Sequence, residues 1–98
     1  MNKYLLHGKL IAKQAHRDEL ASILIAASKL VSTAKGCKLY VIGLDKEDIN
    51  SVYVTESWDR KEDHDNSSNV KGVKKLITKA IPILDGKPSA GQELKILN

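Results

Sequence analysis

The order in which strand-type and helix-type segments follow one another restricts this chain to very few folds. Strand-type patterns cover residues 4–13, 37–44 and 51–58, and a fourth strand is predicted at 91–97. Apolar residues recur at helical spacing between the first and second strands, and again between the third and fourth. The resulting β-α-β-β-α-β order predicts an α+β fold of the ferredoxin-like type, with an antiparallel sheet and both helices on one face.

The first helix is predicted at residues 16–35. Acidic residues near its start and Lys29 near its end suit the helix dipole, and Gly36 is a natural C-terminal stop. Its apolar stripe consists of Leu20, Ile23, Leu24, Ala27, Leu30, Val31 and Ala34.

The second helix is predicted in two parts. Asp59 has the character of an N-cap and Glu62 follows three residues later, a capping-box arrangement that predicts a short helix to about residue 67. A longer helix is predicted over residues 69–84, and Pro82 is expected to distort its last turn. The inward side of that helix is predicted to be Val70, Val73, Leu76, Ile77, Ala80, Ile81 and Leu84.

Length and composition favour one small domain, residues 1–98, that pairs with a copy of itself. The chain is 42% hydrophobic and 29% charged, which is ordinary for a soluble globular domain. No apolar run approaches the roughly 20 residues that span a bilayer, and no signal-peptide segment is evident, so we expect a cytoplasmic protein without a membrane partner. Helices on one sheet face leave apolar side chains in water on the other, which predicts a homodimer.

The residue types that hold metals, cofactors or nucleic acids are too few or too scattered here. Cys37 is the only cysteine and is expected to be a small buried hydrophobe. The three histidines lie on separate elements, and there is no glycine-rich phosphate loop, so we expect no metal, flavin or nicotinamide. The net charge of +4 comes from dispersed lysines. An RNA-binding domain of the same element order would need stacking aromatics on the third strand, and the chain has no Phe, so we expect no nucleic-acid partner.

The stretch from Glu56 to Leu84 resembles a known family. It contains Glu-x-Trp at Glu56 and Trp58, a charged stretch, His64, and a helix that ends in Pro82 and Leu84. This pattern is similar to that of the antibiotic biosynthesis monooxygenase domain family, and the match in length and element order covers nearly the whole chain. The resemblance implies a dimeric α+β barrel of two ferredoxin-like subunits, each with a pocket between sheet and helices.

The resemblance also implies an activity. Members of the family include cofactor-independent oxygenases of polycyclic phenols or anthrones, quinol oxygenases, and a haem-degrading branch. The Asn, Trp and axial His of that branch fall here at His7, near Asn66 and near residues 76–77, and none is kept. The expectation is a cofactor-independent monooxygenase with a small aromatic or quinol-type substrate. A non-catalytic dimer that binds a small ligand or regulates another process is the open alternative.

Oxygenation without a cofactor needs a base to deprotonate the substrate and an apolar box to exclude water. His7, in the middle of the first strand, and His64, on the short helix that would cover the pocket, are the candidate catalytic bases. The alternative for His7 is a hydrogen-bonded core or interface histidine. The alternative for His64 is a partly exposed residue that pairs with Asp63 or Asp65.

Four further residues are candidates for substrate binding. Trp58 can stack on an aromatic substrate or anchor the core. Glu56 lies on the same face of the strand as Trp58. A buried carboxylate needs a polar partner, and its role here can be structural or catalytic. Tyr53, like the other strand tyrosines Tyr4 and Tyr40, can donate to a carbonyl or simply pack. Asn66 can donate into a pocket or end a helix.

Overall fold

A computed structural model describes residues 3–86 and 91–98. It contains one antiparallel four-stranded sheet in the order β2-β3-β1-β4. The strands are β1 (Tyr4–Ile11), β2 (Cys37–Leu44), β3 (Ser51–Trp58) and β4 (Gln92–Lys95). The helices are α1 (Arg17–Val31), α2 (Lys61–Asn66) and α3 (Val73–Ala80), with short 3-10 turns at Ser67–Asn69 and Ile81–Ile83. The α+β ferredoxin-like fold expected from the sequence is confirmed.

The register between β1 and β3 decides which side chains share a face of the sheet. Tyr4 lies opposite Trp58, and Leu6 lies opposite Glu56. Because neighbouring residues of a strand point to opposite faces, this register places His7 on the other side of the sheet, across from Thr55. One face of β3 is buried at every position, namely Val52, Val54, Glu56 and Trp58.

The helices cover that buried face and build the core in two clusters. One cluster joins Leu20 of α1 to Val52 of β3, and the other joins Val31 of α1, Trp58 of β3 and Val73 of α3. Trp58 is fully buried, so it anchors the sheet to the helices. Burial of such side chains is the main source of stability in a small domain.

The segment after β3 differs from the prediction. Asp59 is not the N-cap of α2, because its backbone N–H donates to the carbonyl of Gly36 at 2.8 Å and prolongs the strand pairing. Arg60 takes the cap position without a side-chain hydrogen bond, so the predicted capping box does not form. The next helix begins at Val73 rather than near residue 69, since Gly72 before it has a φ of 94°.

Other local expectations have mixed outcomes. Ile77 and Ile81, predicted to face inward, are 46% and 60% exposed. Pro82 does end the regular helix, because α3 stops at Ala80 and a 3-10 turn follows. Cys37 is half-buried at the start of β2 rather than deep in the core. Of the loop predicted at 85–90, residues 87–90 lie outside the described residues.

The face of the sheet away from the helices is apolar and open in the single chain. We call it the open sheet face; the register assigns to it Leu5, His7, Lys9, Ile11, Leu39, Val41, Tyr53, Thr55 and Leu94. Four of its apolar members are 40–48% exposed, namely Ile11, Leu39, Val41 and Leu94. Among residues 3–86 and 91–98, none of the helices has the length and apolar character needed to span a membrane.

Candidate functional site

A carboxyl group lies on the buried face of β3. The strand alternation that turns Val52 and Val54 toward the helices also turns Glu56 inward, where only 8% of the residue is exposed. A carboxylate in such surroundings needs polar partners. The indole Nε1 of Trp58 donates to Glu56 Oε1 at 2.8 Å.

His64 of α2 approaches the same carboxylate oxygen. Its Nε2 lies 3.5 Å from Glu56 Oε1, and its Nδ1 lies 3.1 Å from Asp65 Oδ1. The imidazole ring also lies 5.3 Å from the Tyr4 ring and 6.0 Å, edge-on, from the Trp58 ring. We call Tyr4, Glu56, Trp58 and His64 the Glu56–His64 site.

Burial sets the protonation behaviour of this site. It raises the pKa of Glu56, an effect that the Trp58 hydrogen bond and the nearby His64 partly oppose. Burial, together with the hydrogen bond that Tyr4 donates to Glu93, raises the pKa of Tyr4 to about 12. Burial, followed by the charge of Glu56, also raises the pKa of Tyr40, which lies opposite Glu56 on β2. Both phenols therefore hold their protons at neutral pH and can act as donors.

Solved structures of other proteins resemble this chain over nearly its whole length. A protein from Chloroflexus aurantiacus, provisionally named an antibiotic biosynthesis monooxygenase, is 29% identical, with a TM-score of 0.87 over 98% of this chain and 94% of its own. A protein from Caulobacter crescentus with the same provisional name is 15% identical, with a TM-score of 0.88 over 99% and 92%.

The chain has the antibiotic biosynthesis monooxygenase fold. The resemblance expected from the sequence is confirmed by these structures. A protein from Pseudomonas aeruginosa is also similar, at 19% identity and a TM-score of 0.85 over 100% of this chain and 97% of that one. No family model matches the chain, and the search of curated proteins finds no significant match.

Within this monooxygenase fold, the six predicted site residues fall into three groups. Glu56, Trp58 and His64 lie together. His7 and Tyr53 lie on the open sheet face, stacked on each other at 5.3 Å. His7 Nδ1 is also 2.9 Å from Thr55 Oγ1. Because the sheet separates them, His7 and His64 cannot act on one small substrate bound within a single chain.

Asn66 is the sixth predicted residue, and it lies apart from both groups. It is exposed at the end of α2 and lines a surface cleft of 450 Å³ with Lys35 and Arg60. Neither Glu56 nor His64 lines that cleft. Asn66 therefore lies on the outer surface of α2, away from the buried carboxyl of Glu56.

Tyr4 belongs to the site although sequence reasoning did not single it out from the other tyrosines. The sequence does hold a signal, because alternate residues of a strand share a face. Tyr4 therefore lies on the same face of β1 as Leu6, and His7 lies on the other face. Tyr4 also lines a cleft of 520 Å³ together with Glu93 and the C-terminal residues. A cleft of this size is suited to a small organic ligand, and its lining includes Tyr4 but not Glu56, Trp58 or His64.

The site has side chains for proton transfer and aromatic contact rather than for holding a metal. Among the described residues, no group of three or more His, Cys, Asp or Glu side chains is placed to hold a metal ion. A buried carboxyl beside an imidazole can remove a proton from a bound molecule. The Tyr4 ring, which lines the 520 Å³ cleft, can contact an aromatic ligand, whereas Trp58 is fully buried and holds the Glu56 carboxyl.

Proposed function

We propose that this chain is a cofactor-independent monooxygenase that acts on a small aromatic or quinol-type substrate. The observation that carries the proposal is the buried Glu56 carboxyl, held by Trp58 and paired with His64. The provisional names of the Chloroflexus and Caulobacter proteins support the same reaction class. A group of this kind, with a pKa raised by burial, is suited to general acid–base work near neutral pH.

The proposed reaction begins with proton removal. A phenol, or a methylene flanked by aromatic rings, enters beside Tyr4 and gives a proton to the Glu56–His64 pair. The resulting anion is electron-rich enough to transfer an electron to dioxygen. For a methylene, one oxygen atom becomes the product carbonyl, and the other leaves as water with the two hydrogens. The substrate supplies all four electrons, so the reaction needs no flavin or external reductant.

Tyr4 has a defined part in this proposal. Its phenol keeps its proton at neutral pH, because its pKa is raised to about 12. Its single O–H donates to Glu93 in the free chain, so in this proposal a substrate oxygen takes the place of Glu93 and accepts that hydrogen bond as negative charge develops there. The aromatic rings of the site keep water away from the carbanion.

The working unit in this proposal is a homodimer of the single domain at residues 1–98, located in the cytoplasm. The open sheet face supports a second copy of this chain as its partner, since it presents four apolar side chains that are each 40–48% exposed. A two-fold dimer would cover this face on both subunits with one contact.

A non-catalytic ligand-binding dimer is the second candidate, and one observation favours it. Both ring nitrogens of His64 face carboxylate oxygens, Glu56 on one side and Asp65 on the other. Only the imidazolium donates on both sides, and it has no free lone pair with which to accept a proton. In that state the site would recognise a ligand without deprotonating it.

Oxygen uptake over a panel of hydroquinones, naphthoquinols and anthrones separates the two candidates. We expect uptake above spontaneous autoxidation, and a loss of about a hundredfold or more in Glu56→Gln. His16→Gln is the matched control, because His16 is a partly exposed histidine that pairs with Glu19 at the start of α1. No uptake above buffer across the panel would contradict the oxygenase, and quenching of Trp58 fluorescence by the same compounds would then support the binding dimer.

A further inference from the structure

We infer that His64 is a proton shuttle that connects the buried Glu56 carboxyl to solvent at Asp65. The inference rests on the site proposed above, and it assigns separate roles within it. Glu56 takes the proton, His64 passes it on, and Asp65 is a positioning residue that holds the outer nitrogen of the ring.

The three side chains lie in a line from the interior to the surface, with a hydrogen bond between His64 and Asp65 and a longer ionic contact between His64 and Glu56. Glu56 Oε1 lies 3.5 Å from His64 Nε2, and His64 Nδ1 lies 3.1 Å from Asp65 Oδ1. Side-chain exposure rises along the same line, from 10% for Glu56 to 26% for His64 and 53% for Asp65. Lys61 Nζ, 3.5 Å from the other oxygen of Asp65, helps to hold that carboxylate in place.

The other groups around Glu56 are poorly suited to relay a proton. The titratable or charged groups that face this region, from every element packed around it, are Tyr4, Cys37, Tyr40, Lys61, His64, Asp65 and Glu93. Burial raises the pKa of both Tyr4 and Tyr40, so neither phenol ionises readily near neutral pH. Burial likewise raises the pKa of the Cys37 thiol. Within residues 3–86 and 91–98, His64 is the titratable side chain in ionic contact with Glu56, and an imidazole has two nitrogens, one to accept a proton and one to donate it.

The proton balance needs no other reactant. Protonated Glu56 gives its proton to Nε2, and the imidazolium releases the proton of Nδ1 to Asp65 and water. The hydrogen bond from His64 lowers the pKa of Asp65, so this carboxylate does not retain the proton at neutral pH. Glu56 is then ionised, and the neutral ring carries its proton on Nε2. The ring regains its starting tautomer when it turns toward water, where Nε2 releases its proton and Nδ1 takes one up.

The single tryptophan makes the shuttle measurable without any substrate. Trp58 donates its indole N–H to Glu56, so its fluorescence reports the ionisation of that carboxyl. The experiment is a laser-triggered pH jump from about pH 8 to about pH 5, fast enough to follow proton transfer, with Trp58 emission as the signal. We expect a fast wild-type relaxation that slows at least about tenfold in His64→Gln and recovers in proportion to added imidazole.

Control variants separate a shuttle from a structural effect. Asp65→Asn, at an exposed position, is expected to slow the relaxation less than His64→Gln does. Glu56→Gln removes the relaxation, while His16→Gln leaves it unchanged. A structural role of His64 would alter the amplitude or midpoint but would give no dependence on imidazole.

Two results would overturn the shuttle. One is a His64→Gln relaxation as fast as that of the wild type at every imidazole concentration. The other is a relaxation that persists in Glu56→Gln. The pH jump uses no substrate, so it is independent of the oxygenase activity. A protein that shows the His64-dependent relaxation but no oxygen uptake would contradict the proposed oxygenase and still support the shuttle.

Discussion

The buried Glu56 makes the stability of this protein depend on pH in a particular direction. Burial raises the pKa of Glu56, so the folded state binds this proton more tightly than the unfolded state does. The contribution is fully present below the ordinary carboxyl pKa and is lost as the pH rises through the raised one. Glu56→Gln keeps the oxygen that accepts from Trp58 and removes the titration.

We therefore expect the wild type to lose stability relative to Glu56→Gln as the pH is raised from about 4 to about 7. Urea unfolding midpoints of the two proteins, compared across this range, measure the difference. Only the difference is informative, because hydrogen bonds lower the pKa of Asp48 and Asp65 and give the opposite trend in both proteins. Glu62→Gln, an exposed residue of α2, is the control. A constant offset between wild type and Glu56→Gln would show that Glu56 does not titrate differently on folding.

At the scale of the residue, three of the six candidate residues lie together. Glu56, Trp58 and His64 stand out in the sequence through the Glu-x-Trp pattern and the histidine that resemble the monooxygenase family, and the structure brings them into contact. His7 was chosen because it is a histidine in the middle of a strand, but its position on the open sheet face depends on the pairing of β1 with β3. Strand alternation gives the two sets of side chains on each strand. The register between two strands decides which of these sets share a face of the sheet. That register depends on residues far apart in the sequence, so the local pattern does not contain it.

The position of α2, and with it His64, depends on the glycine before β2. Gly36 has a φ of 82°, and a Cβ placed there would overlap the carboxylate and the Cβ of Asp63 on α2. An alanine at this position is expected to destabilise the fold for two reasons. The left-handed backbone costs about 1–2 kcal/mol for a residue with a Cβ, and the Cβ also overlaps with Asp63 of α2. Gly86 offers a matched control, because it has the same φ of 82° and nothing within 4 Å of such a Cβ.

We expect Gly36→Ala to be more destabilising than Gly86→Ala, and Asp63→Ala to reduce the cost of Gly36→Ala in a double-mutant cycle. Chemical denaturation of the four variants measures these free energies. If Gly36→Ala and Gly86→Ala lower the free energy of unfolding equally, α2 can move away from the new Cβ without loss of stability. Gly36 would then not determine the position of His64.

The elements themselves were largely predictable, and the errors have local causes. The first helix and the first three strands follow from periodicity, since their apolar residues recur at helical or strand spacing. The fourth strand, Gln92–Lys95, is exposed at every position and has no strongly apolar face. Asp59 resembles an N-cap in sequence, but the carbonyl of Gly36 draws its backbone into the sheet. Gly72 delays the start of α3 because its left-handed backbone cannot continue a helix. The glycine is visible in the sequence, but the apolar residues at helical spacing on both sides of it, such as Val70, Val73 and Leu76, predict an earlier start.

At the scale of the whole molecule, the two faces of the sheet have different surroundings. The inner face is covered by α1 and α3, and the outer face leaves Leu39 and Val41 about half exposed. A stable dimer usually covers about 800 Å² on each partner, and the open sheet face is the apolar surface of this chain suited to that role. We therefore expect the protein to sediment at about twice its 10.8 kDa chain mass.

Val41→Lys, on the edge strand β2, tests this assignment at an exposed apolar position of the open sheet face. In a two-fold dimer the substitution would place an unpaired ammonium group in the apolar contact of both subunits, which is strongly unfavourable. We expect the dissociation constant measured by sedimentation equilibrium to rise by about a hundredfold or more, which is about 2.7 kcal/mol. Ile77→Lys is the matched control, because Ile77 is 46% exposed and Val41 is 48% exposed, but Ile77 lies on α3 on the helical side. If Ile77→Lys weakens association as much as Val41→Lys, or if the wild type is a monomer, the open sheet face is not the contact between copies, and a different partner must cover it.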